Sequence, residues 1–128
     1  MKVQEVVNYW LKSAEDDLKT VEALWEKKRY HHCLFFCHLV VEKTLKALVV
    51  KKTGKHALPT HDLLVLARGS GLGLSSEKRD ELSEINTFNI RARYDDYKLK
   101  SYKKATREYT EKWYKRSVEV FKWLKKRF

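Results

Sequence analysis

The chain has 128 residues, enough for one domain, with 43% hydrophobic and 35% charged side chains, a mixture that suits a packed core and excludes a disordered chain. Four glycines and one proline are too few for a sandwich or barrel built from many tight turns. The formal net charge of +11 is uneven: residues 98–128 carry twelve basic and three acidic side chains, leaving a net of +2 for residues 1–97.

From Val3 to Lys27, Val3, Val7, Trp10, Ala14, Leu18, Val21 and Trp25 recur at steps of three and four. That period predicts an amphipathic helix, with Asp17 beside its packing seam. The next segment, Tyr30 to about Lys52, is apolar on nearly every side, which places it at the centre of a bundle or in a subunit interface. Its polar exceptions His31, His38, Glu42 and Lys46 fall within one sector, with Phe35 among them. Cys33 and Cys37 share a face of this helix and read as buried free thiols. Neither they nor the nearby histidines have zinc-type spacing, so no metal and no cofactor is expected.

Lys51 and Lys52 followed by Gly54 mark the end of this helix. Pro59 and Thr60 restart a short one over about His61–Arg68, with Thr60 as its N-cap, Asp62 in its first turn and His61-Asp62 read as capping residues. Gly69, Gly71 and Gly73 make a loop, and Ser75 or Ser76 caps a fourth helix carrying Leu82, Ile85 and Phe88. The period breaks from Asn89 to about Lys104. A basic helix capped by Thr106 then presents Tyr109, Trp113, Val120 and Leu124 inward. The expectation is an all-α, up-and-down bundle of four to five helices spanning 1–128 as a single domain. The surplus apolar surface of the second helix predicts a homodimer. No apolar run of membrane-spanning length and no signal segment is present, which predicts a cytoplasmic protein.

Phosphate-loop, nucleophile-elbow and zinc-protease motifs do not occur. The chemistry-bearing residues instead collect in three places. These are Asp17 on the first helix, Glu42 to Lys46 on the second, and the connections Thr60-His61-Asp62-Leu63 and Arg91-Ala92-Arg93-Tyr94-Asp95-Asp96-Tyr97. Arg91 and Arg93 can fork onto phosphate oxygens, Tyr94 or Tyr97 can stack a base, and Asp95 and Asp96 can hold the arginines. Glu42, with Lys46 and His38, can line the floor of the same cleft. The competing reading makes Asp17, Glu42, Arg91 and Arg93 a buried network that pins the connection. Lys43 and Lys46 read as solvated or snorkelling, and the basic face of residues 106–127 as either a solvated face or a nucleic-acid surface.

Four strings in order carry a resemblance to the HEPN domains (higher eukaryotes and prokaryotes nucleotide-binding). They are Trp10-Leu-x-x-Ala14-x-x-Asp17-Leu18, Val41-Glu-Lys-Thr-Leu-Lys-Ala47, Thr60-His-Asp-Leu63 and Asn89-Ile-Arg-Ala-Arg-Tyr-Asp-Asp96. The resemblance implies a helical bundle, commonly dimeric, that binds nucleotides and works beside a minimal nucleotidyltransferase, sometimes as a toxin–antitoxin pair. Many relatives are metal-independent ribonucleases with an Arg, four to six residues and a His. Here no histidine has an Arg five to seven residues before it, and the sixth residue after Arg91 is Tyr97. The leading expectation is therefore a nucleotide- or substrate-binding subunit, with Arg91, Arg93, Tyr94, Asp95, Asp96, Glu42, Lys46 and Asp17 facing the ligand. The alternative is a ribonuclease drawing on Arg91 or Arg93 with His61, Tyr97 or Glu42.

Overall fold

A computed structural model describes residues 2–89 and 103–128. Among them five helices and no strands are found: α1 (Val3–Glu26), α2 (Tyr30–Thr53), α3 (Leu63–Gly69), α4 (Ser76–Asn86) and α5 (Arg107–Lys125).

The stripe on α1 behaves as its period requires, with Val7, Ala14 and Val21 buried at seven-residue intervals. α1 ends in a left-handed residue, Lys28 at φ 59°. The Arg29 N–H reaches back to the Leu24 carbonyl at 2.8 Å, which closes the helix and turns the chain into α2. The two helices run antiparallel. Val7 near the start of α1 packs on Ala47 and Val50 near the end of α2, and at the other end the Cys33 thiol contacts the Val21 carbonyl.

α2 is the axis of the bundle. It touches every other helix described, α1 most extensively, and Val41, Leu45 and Leu48 on it are fully buried. The apolar surface that suggested a second copy is thus covered by the chain's own α1, α3, α4 and α5. Removing one of these side chains, as in Leu45→Ala, costs about 2–5 kcal/mol through lost transfer energy and the cavity left behind. α2 stops at Gly54, left-handed at φ 69°, whose N–H bonds to the Val50 carbonyl.

α5 runs parallel to α2. Its Trp113, Val120, Phe121 and Leu124 face the core, and beyond it the Phe128 ring lies under Lys51. Its N-cap is Thr106, whose hydroxyl accepts from the Tyr109 N–H at 3.2 Å, and Ser75 caps α4 in the same way through Lys78. α3 differs from expectation. Its N-cap is Asp62, not Thr60, and its carboxylate accepts from the Leu64 and Val65 N–H groups. Thr60 stands one step further out, accepting from the Asp62 N–H at 3.1 Å.

Candidate functional site

The i, i+4 spacing of His38, Glu42 and Lys46 stacks them on one side of α2, and the connection into α3 lays His61 across them. Glu42 is the hub. One of its oxygens accepts from Lys46 Nζ at 2.9 Å, and His61 Nδ1 lies 3.1 Å from both. The Glu42 and Lys46 side chains are only 5% and 11% exposed, whereas that of His61 is 48% exposed. The Lys46 ammonium also lies 5.2 Å from the centre of the Trp10 ring on α1. Lys46 is therefore neither solvated nor snorkelling, because burial leaves its charge dependent on Glu42.

Proton positions follow from the partners. His38 Nε2 lies 3.0 Å from the His61 carbonyl oxygen, which can only accept, so Nε2 carries the proton. Burial is the main influence on His38 and lowers its pKa against the opposing pull of the Glu42 carboxylate. The His38 Nδ1 lies 3.5 Å from a Glu42 oxygen. His61 donates from Nδ1 to Glu42, and its side chain is half exposed. A carboxylate that fixes the tautomer of a half-exposed imidazole is an arrangement fit for proton transfer.

The connection carrying His61 is held at several points. Asn86 on α4 donates to the Asp62 carboxylate at 3.0 Å and accepts from the Leu63 N–H at 2.9 Å. That hydrogen bond from Asn86 is the largest cause of the lowered Asp62 pKa. Of the pair read as capping residues, Asp62 caps α3 while His61 turns to Glu42.

Asp17 is engaged separately. Lys43 Nζ lies 2.7 Å from its carboxylate and donates to Ser13 at 2.8 Å, joining α1 to α2. Lys43 is thus a partly buried tie, not a solvated cation. Asp17 and Glu42 belong to two different ion pairs, each with a lysine of α2. Arg91, Arg93, Tyr94, Asp95, Asp96 and Tyr97 lie outside the described residues. His31 and Phe35, read as part of the Glu42 sector, stand nearer the N-terminal end of the same helix.

His31 instead lines a hollow of about 330 Å³ at the α1–α2 turn, with Lys28, Arg29, Tyr30, His32 and Ala105. Lys28 and Arg29 have no acidic partner among the described residues. Sequence reasoning missed this place because Lys27 to His32 was divided between the end of one helix and the start of the next. The signal was there: six consecutive basic or aromatic residues at a helix–helix corner.

On α5, by contrast, Lys115, Arg116 and Lys125 are paired with Glu111, Glu81 and Glu15. Lys112 and Arg127 lie over the Trp113 and Trp123 rings. Much of that basic face is therefore occupied, which favours the solvated-face reading of residues 106–127. No group of three or more His, Cys, Asp or Glu side chains able to hold a metal occurs among the described residues. Cys33 and Cys37 are buried free thiols. No helix among the described residues is long and apolar enough to cross a membrane.

Residues 7–127 match the family model of the HEPN domain, nearly the whole chain. No curated protein and no solved structure matches the chain.

Proposed function

Because the chain belongs to the HEPN domain family, we propose that it is a cytoplasmic, homodimeric HEPN subunit that binds phosphate-bearing nucleotides and acts beside a minimal nucleotidyltransferase, as in a toxin–antitoxin pair. The observation that carries the ligand half is the hollow at the α1–α2 turn. There Lys28 and Arg29, cations without acidic partners among the described residues, share a concavity with Tyr30, His31 and His32. Guanidinium and ammonium groups supply charge-assisted bonds to phosphate oxygens, and an aromatic ring offers a base a stacking face. Arg91 and Arg93 are proposed as further phosphate-binding residues, and Tyr94, Asp95 and Asp96 as further ligand-binding residues.

Calorimetric titration with ATP and with a short single-stranded RNA tests this reading, comparing the unaltered chain with Lys28→Ala/Arg29→Ala. Binding that weakens in the double variant supports it, and equal binding by the two chains refutes it. Affinity capture with the chain as bait, from the organism that encodes it, tests the partner half. Recovery of a nucleotidyltransferase is expected there.

A second reading, a metal-independent ribonuclease, is favoured by one observation. Glu42 holds the Nδ1 of the half-exposed His61, which supports His61 as the acid–base group although the family's Arg-x4–6-His spacing is missing. RNA cleavage in the presence of a chelator, lost in His61→Gln, would support this reading over pure binding.

A further inference from the structure

A second concavity lies away from both places described above, where α3 leads into α4. Its volume is about 410 Å³, and Leu64, Arg68, Leu72, Leu74 and Arg79 line it. It sits toward the C-terminal half of α2, since a Cβ at Gly69 would stand 3.7 Å from a Val49 methyl. The connection between the helices is built, not loose. The Ser70 hydroxyl and the Leu72 N–H both bond to the Ala67 carbonyl, at 2.7 and 3.2 Å, and the Gly71 N–H bonds to the Arg68 carbonyl. Exposed Gly71 and Gly73 alternate with half-buried Leu72 and Leu74, so both leucines pack inward against the core and form the floor.

The two arginines are the unexplained part. Both are exposed, and among the described residues neither side chain has an ion pair, a hydrogen bond or a ring contact. Arg68 stands in the last turn of α3, where the helix dipole favours a cation, and its charge reaches Asp62. Arg79 has no such reason. It is the fourth residue of α4, close to the end of a helix where a positive charge is disfavoured.

We propose that this groove binds a small organic anion, with an aliphatic body on Leu64, Leu72 and Leu74 and a carboxylate or phosphate head on Arg68 and Arg79. The volume falls in the range of small-molecule sites, and the mixture of an apolar floor with a few convergent polar groups is what such sites use. Two planar guanidinium forks match either head group. No aromatic ring lines the groove, which favours an aliphatic body over a stacked base and separates this site from the phosphate-binding reading at Lys28 and Arg29.

The test is titration of the chain, with its leucine methyl groups isotope-labelled, with octanoate, octyl phosphate, octanol and inorganic phosphate. Saturable shifts of the Leu64, Leu72 and Leu74 methyls are expected with octanoate or octyl phosphate below about 1 mM, and the tighter of the two identifies the head group. Octanol and inorganic phosphate should each bind at least about tenfold more weakly. Arg79→Gln removes no ion pair or hydrogen bond among the described residues, so it should stay folded, and Arg68→Gln serves as the second arm. Each should weaken the anion about tenfold. Affinity unchanged in both variants, octanol or phosphate alone binding as well as the combined probe, or no methyl shift with either anion would overturn the proposal. None of these outcomes bears on Lys28→Ala/Arg29→Ala, so failure here is distinguishable from failure of the nucleotide reading.

Discussion

His38 and His61 are joined through a backbone carbonyl: the buried ring of the first donates from Nε2 to the main-chain oxygen of the second at 3.0 Å. Glu42 in turn holds the His61 ring, so one carboxylate and one peptide group fix two rings, one from α2 and one from the connection into α3.

Stability should fall as the solution is acidified from neutral. Burial holds the His38 pKa below the ordinary 6.5, against the pull of Glu42. The unfolded chain therefore takes up this proton before the folded one does. The contribution is complete above about pH 6.5 and is lost as pH falls through the lower folded value. His38→Gln keeps a donor for the His61 carbonyl and removes the titration. Urea unfolding midpoints measured from pH 7.5 to 5 should drop more steeply for the unaltered chain than for this variant. Asp62, held below its ordinary 3.8 chiefly by Asn86, loses its share only at lower pH and does not confuse this window.

Glu42→Gln should destabilise the fold by about 3–5 kcal/mol, because it leaves the Lys46 charge buried without its carboxylate. Pairing it with Lys46→Met should recover most of that loss. Thermal unfolding of the two single variants and the double variant measures the coupling. Additive losses would show that the pair does not act as a unit.

Asn86→Ala removes two hydrogen bonds that tie α4 to the start of α3 and should cost about 1–2 kcal/mol. Asp62→Ala should cost about 1 kcal/mol as a lost N-cap. The double variant should lose less than the sum, since Asn86 and Asp62 bond each other. Chemical denaturation of the three variants gives the three values.

The thiols should be inert in the folded chain. The hydrogen bond with Cys33, followed by burial, pushes the Cys37 thiol pKa up, away from the reactive thiolate. With Ellman's reagent at pH 8, both cysteines should react at a rate that follows unfolding and rises steeply in urea. Rapid modification without denaturant would contradict the burial of both side chains.

The helices were legible because their apolar periods and caps agree with each other. The stripe ending at Trp25, the Gly54 stop and the Ser75 and Thr106 caps all stand where they were read. Thr60 and Asp62 were not separable by sequence, since both are good N-caps two residues apart and only Asn86, on another helix, decides between them. The sector of His38, Glu42 and Lys46 was visible on a helical wheel. That it buries its lysine depends on His61 and Trp10, brought in by elements distant along the chain. The apolar girth of α2 was read as either central or part of a subunit interface, and within the chain it is central. Its cover proved to be the neighbouring helices, because α3 and α4, short as they are, take the faces that α1 and α5 leave.

Lys28 occupies a left-handed backbone at φ 59°, a conformation that disfavours a side chain by about 1 kcal/mol and that glycine adopts freely. The position therefore sets heat tolerance against charge. Laboratory evolution under a purely thermal screen should drift toward Lys28→Gly, and the survivors should hold polyanions less well while melting higher.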